Sequence, residues 1–110
     1  MIVPHGDEAV VPLRKLTEYL LSERHPTGSS KAAFFRGLGF DDANIRRFEE
    51  NLLRIVRNEN ATEVIPSKHG TKYVVDGEIE TPHGGLVAIR TVWIVELSKR
   101  RPRFVTAYPR

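Results

Sequence analysis

The spacing of apolar residues changes once along the chain, near residue 60, from a helical three-to-four period to the period of two expected of strands. From Pro12, the residues Leu13, Leu16 and Leu20 fall on one face, which Tyr19 and Leu21 widen, and this predicts a first helix over about residues 12–22. Pro12 suits a first turn, where no backbone donor is needed. In ERHPTGSS, Pro26 disfavours helix at His25, while Gly28, Ser29 and Ser30 supply turn and cap chemistry, so a second helix starts near Ser30. It carries Ala32, Ala33, Phe34, Phe35 and Leu38 and stops at Gly39, a residue suited to a left-handed C-terminal cap. Asp41 and Asp42 offer caps to a longer third helix with Ile45, Phe48, Leu52 and Ile55 on its inner stripe. Asn58 to Asn60 end the helical half.

Beyond Ala61 the β-branched residues dominate, and strands are expected at about 61–65, 72–80, 86–97 and 103–108. The connections PSKHG, TPHGG and SKRRP are short and rich in turn formers, which favours an antiparallel meander. LVAIRTVWIV is apolar on both faces, as a central strand would be. The fold class read from this pattern is α+β: two to three N-terminal helices packed on one face of a four-stranded antiparallel sheet. Residues 1–10 show no clear period and read as a flexible arm or a short edge segment. No repeat or linker divides the chain, so residues 1–110 form one domain.

Composition narrows the chemistry. An apolar share of 40% with 28% charged residues describes a globular chain, and no apolar run approaches the roughly 20 residues of a membrane span. The N-terminus lacks the pattern of a secretory signal, which makes a cytoplasmic location the expectation. Without cysteine there is no disulfide, thiolate metal site or thiol nucleophile. The net charge of +3 permits a polyanionic partner. Part of it is concentrated in KRRPR, Lys99 to Arg103, which suits general nucleic-acid binding.

Two segments can carry chemistry. In HPTGSSK, residues 25–31, a lysine stands in the first turn of a helix whose free backbone donors favour anions. A bound phosphate would resolve that conflict, as would Lys31 reaching solvent or Glu23. The spacing is not that of a P-loop. In RFVTAYP, strict alternation places Phe104, Thr106 and Tyr108 on one face and Arg103 on the other. Arginine, threonine and tyrosine on a sheet can grip a phosphodiester, or can be an ordinary half-buried strand. His5, His25, His69 and His83 form no metal-ligand pair, and no metal or other cofactor is expected. His69 and His83 read as solvated turn residues, whereas His25 adjoins the possible anion site. Arg90 interrupts an apolar face and needs Glu63, Asp76, Glu78 or a bound phosphate as partner.

Together HPTGSSKAAFFRGLGF, TKYVVDGEIE and TVWIVELSKRRPRFVTAYP resemble a family of small uncharacterised bacterial domains, from about Leu16 to Pro109. More distantly, the helices-then-meander order and the closing TAYP resemble the barnase, EndoU, colicin and RelE-like group of toxin nucleases. That resemblance implies a metal-independent ribonuclease in which an RNA 2′-hydroxyl attacks its own phosphodiester. It implies His25 as base or acid, Lys31 and Arg103 as phosphate clamps, and Thr106 with Tyr108 orienting the phosphate. No second histidine or glutamate stands in an obvious partner position. The competing expectation is a non-catalytic protein-binding or immunity-like module whose partner is another protein.

Overall fold

The computed structural model describes residues 1–25 and 29–110. The first helical segment runs as α-helix α1, Leu13–Lys15, directly into a π-helical turn, Leu16–Leu20. Helix α2 covers Ser29–Gly37, and α3, Ile45–Asn58, follows a short 3-10 turn at Asp42–Asn44. Four strands complete the chain: β1 Ala61–Ser67, β2 Gly70–Glu80, β3 Leu86–Glu96 and β4 Arg103–Pro109. They form one antiparallel sheet in the order β1-β2-β3-β4, so the expected α+β meander is what the chain adopts. Among the described residues, no helix is long and apolar enough to cross a membrane.

The core lies between the helices and one face of the sheet. Phe48, Leu52 and Ile55 of α3 are buried as their spacing predicts, against Val75, Ile79, Ile89, Trp93 and Phe104 from the strands. Phe40 stacks on Phe48 at 4.5 Å, and Trp93 meets Phe104 edge-on at 5.3 Å. Gly77 permits the close approach of α3, because a Cβ there would stand 2.8 Å from Ile55 Cγ1. The third helix begins as its sequence suggests: Asp41 accepts from the Ala43 N–H while Asn44 accepts from the Asp41 N–H. Gly39, at φ +103°, supplies the left-handed turn after α2. The Pro26 and Gly28 turn lies outside the described residues.

Three expectations are corrected. The first helix ends at Leu20 and not at 22, because a wide turn closes with Leu21 N–H donating to Leu16 C=O, which lets Leu16, Leu20 and Leu21 all reach the core. Residues 1–10 are a short edge segment, the second of the two expectations, and not a flexible arm: Val3 and Ala9 are buried, Ile2 bridges Asn60, and Val10 bridges Arg103 in parallel. Their apolar residues are irregularly spaced because the segment is pinned at isolated bridges. The third correction concerns β4. Trp93 pairs with Phe104 but Val92 pairs with Thr106, so Val105 is an extra residue and the alternation slips. Phe104 and Ala107 therefore both face the core, whereas Thr106 and Tyr108 share the opposite face, and Arg103, expected across from them, lies on that face too.

Candidate functional site

The β4 bulge turns two consecutive residues, Val105 and Thr106, away from the core and toward the first helix. Between them and that helix lies an open cleft of about 710 Å³, lined also by Lys15, Tyr19, His25 and Arg103. The π-turn places Tyr19 in its floor. The Tyr19 hydroxyl accepts from Lys31 Nζ at 2.8 Å and shares a hydrogen bond with Thr106 Oγ1 at 3.0 Å. The His25 ring meets the Tyr19 ring edge-on at 5.0 Å, and Lys15 Nζ lies 5.3 Å from the Tyr19 ring centre. A helix, the loop after it, a second helix and an edge strand thus converge on one phenol.

The electrostatics favour an anion. Partial burial would raise the Tyr19 phenol, but the Lys31 and Thr106 hydrogen bonds and the charges of Lys31 and Lys15 outweigh it and hold its pKa below the usual phenolic value. Arg14 is occupied by Glu18 at 2.9 Å and Arg103 by Glu96 at 3.0 Å. Among the described residues, no carboxylate forms an ion pair with Lys15 or Lys31, so the cleft has more cations than it neutralises.

Four of the five residues singled out from the sequence are brought together: His25, Arg103 and Thr106 line the cleft, and Lys31 reaches it through Tyr19. Lys31 meets neither open solvent alone nor Glu23, whose carboxylate lies 3.6 Å from Arg36. Tyr108 is not in the cleft. Past the bulge it pairs in register with Arg90, on the sheet face turned from the helices. Arg90 finds its partner there in Asp76, with two hydrogen bonds of 2.7 and 3.0 Å, and Arg110 adds a third contact at 3.2 Å. His69 and His83 are exposed turn residues. Among the described residues, no three His, Asp or Glu side chains gather for a metal ion.

Tyr19 is the central residue that sequence reasoning missed. It sits on a widened apolar stripe, where its hydroxyl is the one polar side-chain atom, and a half-buried hydroxyl seeks a partner.

Residues 3–110 match the family described as Domain of unknown function (DUF6883), and the chain belongs to that family. No curated protein matches the sequence. Among solved structures, the chain is similar to one in a contact-dependent growth inhibition toxin - immunity protein complex from Klebsiella pneumoniae 342. The TM-score is 0.73 at 15% identity, over 96% of this chain and 97% of that one, a likeness of fold.

Proposed function

We propose that this domain is a toxin-type ribonuclease that acts on RNA phosphodiesters in the cytoplasm without a metal ion. The observation that carries the reading is the convergence of His25, Tyr19, Lys31 and Thr106 on one open, cation-rich cleft. Cations held together without matching acids are costly unless an anion binds among them. The fold shared with a chain of a toxin and immunity protein complex supports the toxin-type setting.

The chemistry follows from the groups present. His25 takes the proton of the RNA 2′-hydroxyl as its oxygen attacks phosphorus; the bond from phosphorus to the 5′-oxygen breaks, and a 2′,3′-cyclic phosphate forms. Tyr19 gives its proton to the departing 5′-oxygen. Lys31 donates to the phenol oxygen and Thr106 shares a hydrogen bond with it; in this reading Thr106 is the donor, which leaves the Tyr19 proton to point into the cleft, and Lys31 stabilises the phenolate that remains. Lys15 and Arg103 hold the phosphate. Tyr19 thus takes the partner role that no second histidine or glutamate fills, and the orienting role expected of Tyr108 passes to Thr106.

The test is incubation of the purified domain with labelled RNA and excess chelator, beside a His25→Ala, Lys31→Ala variant. Cleavage by the wild type and not by the variant supports the enzyme. No cleavage of several RNAs, with tight retention of a protein partner, sinks it. That second outcome belongs to an immunity-like binding module, a reading favoured by the exposed apolar residues Val64 and Ile65 on edge strand β1.

A further inference from the structure

Arg103 belongs to two surfaces at once. It lines the cleft, and it begins β4 one residue, Pro102, after the basic run Lys99, Arg100 and Arg101. That run is presented by a closed turn, with Lys99 N–H donating to Glu96 C=O at 3.0 Å and Ser98 in the left-handed region at φ +66°. The turn between β1 and β2 stands beside it, because Leu97 N–H donates to His69 C=O at 3.3 Å, which brings Lys68 to the same end of the sheet. Across the sheet Lys72, Ile94 and Arg103 are in register and share a face. Neighbouring strands lie about 4.8 Å apart, so the Lys72 and Arg103 backbones stand roughly 10 Å apart along one row.

This end of the molecule is more basic than the chain requires. Arg100 is held by Glu8 at 2.7 Å and Arg103 by Glu96, but among the described residues Lys68, Lys72, Lys99 and Arg101 form no ion pair. All four are exposed. Taken with the cations of the cleft, this surface leaves the rest of the chain with more carboxylates than cations, although the whole carries +3. Such segregation costs self-repulsion that a polyanion relieves.

We infer that the two turns continue the cleft as a phosphate-binding track, so that the substrate is an RNA strand several nucleotides longer than the linkage being cut. The inference rests on the ribonuclease reading for its substrate and on the basic end for its geometry. Arg103 is the junction, and Lys99 and Arg101 hold phosphates away from the reacting one. Contacts of this kind add affinity through counterion release and carry no base specificity.

The experiment uses a 12-nucleotide 2′-O-methyl RNA, which lacks the nucleophile, with anisotropy measured over a salt series for the wild type and a Lys99→Ala, Arg101→Ala variant. Each lost phosphate contact reduces the slope of log affinity against log salt by about 0.7 for a single strand, so the variant slope is shallower by about 1.4. Cleavage of a ribodinucleotide stays at the wild-type rate, while kcat/KM on an unmodified 12-mer falls roughly ten-fold, as expected for two lost contacts. An unchanged slope and unchanged 12-mer cleavage overturn the track and leave the cleft chemistry standing. A wild type that binds the 2′-O-methyl strand with the steeper slope but cuts no RNA supports the track and overturns the ribonuclease reading instead. Wild-type protein that binds a polyglutamate peptide and no RNA overturns the track.

Discussion

Replacing Tyr19 with phenylalanine removes one oxygen and leaves the ring, so it separates the chemistry of the cleft from its packing. The lost atom accepts from Lys31 at 2.8 Å and shares a hydrogen bond with Thr106 at 3.0 Å. Both bonds lie in a half-exposed setting where water replaces the lost partner, and a net hydrogen bond contributes only about 0.5–1.5 kcal/mol even before that discount. The expected change in folding stability is about 1 kcal/mol or less. Activity should respond very differently. A positioned general acid contributes about 10²–10⁴-fold, which corresponds to roughly 3–5 kcal/mol on the barrier. The assay pairs urea unfolding with single-turnover cleavage of labelled RNA for wild type and Tyr19→Phe. A near-normal unfolding curve with a rate at least about a hundred-fold lower is expected. A variant that keeps a third of the wild-type rate, or one whose rate falls only in step with a large loss of stability, would falsify the role given to Tyr19.

Lys31→Met should let the Tyr19 pKa rise toward its ordinary value, since the Lys31 hydrogen bond and charge lead the contributions, with those of Thr106 and Lys15, that hold it down against burial. An acid must be protonated to act, so activity falls as pH rises through the Tyr19 pKa, and in this variant that alkaline limb moves to higher pH; a limb that stays put in a pH-rate profile argues against the assignment. Thr91→Val keeps the shape of a fully buried residue but removes the hydroxyl that donates to Val75 C=O at 2.7 Å and accepts from Trp93 Nε1 at 2.8 Å. One unsatisfied buried donor costs about 1–3 kcal/mol, and a urea midpoint equal to the wild type's would contradict it. Gly77→Ala drives a methyl into Ile55, an overpacking cost of about 1–3 kcal/mol that Ile55→Ala in the same chain should partly relieve. The Arg90 hydrogen bonds hold the Asp76 carboxyl below the usual carboxylate range, opposed by its burial and aided by the charges of Arg90 and Arg110. Its folded-state pKa is depressed, so its contribution to stability is present above the unfolded value near 3.9 and is lost as pH falls through the folded one. Acid unfolding curves should show a smaller loss of stability below about pH 4 in Asp76→Asn than in wild type, and equal losses would count against the ion pair.

The helices and strands were legible because each rests on a local signal repeated several times. Four apolar residues at helical spacing set the inner face of α3, and period two with Gly and Pro turns set the meander. What escaped was whatever depends on a single inserted residue or on a partner distant in sequence. The bulge at Val105 has no marker in RFVTAYP, where Arg103 to Tyr108 include no glycine or proline to flag it, yet it decides that Thr106 and Tyr108 share a face with Arg103 and not with Phe104. The isolated bridges at Ile2 and Val10 lack any period to read. Lys31 stands out in the sequence as a cation in the first turn of a helix and Arg103 as a cation on a strand, and the fold brings both to one cleft. Tyr19 is hard to single out because a tyrosine on an apolar stripe resembles core, and its hydroxyl bonds to Lys31 and to Thr106, which is 87 residues away.

The most direct test of the central claim uses a DNA oligonucleotide carrying a single ribonucleotide, incubated with the wild-type domain and excess chelator, with the products identified by mass. Cleavage confined to the linkage after the ribonucleotide, leaving a 2′,3′-cyclic phosphate on one product and a 5′-hydroxyl on the other, is the predicted result. An intact chimeric strand under conditions where the domain is folded, or equal cutting of an all-deoxy control, would contradict it.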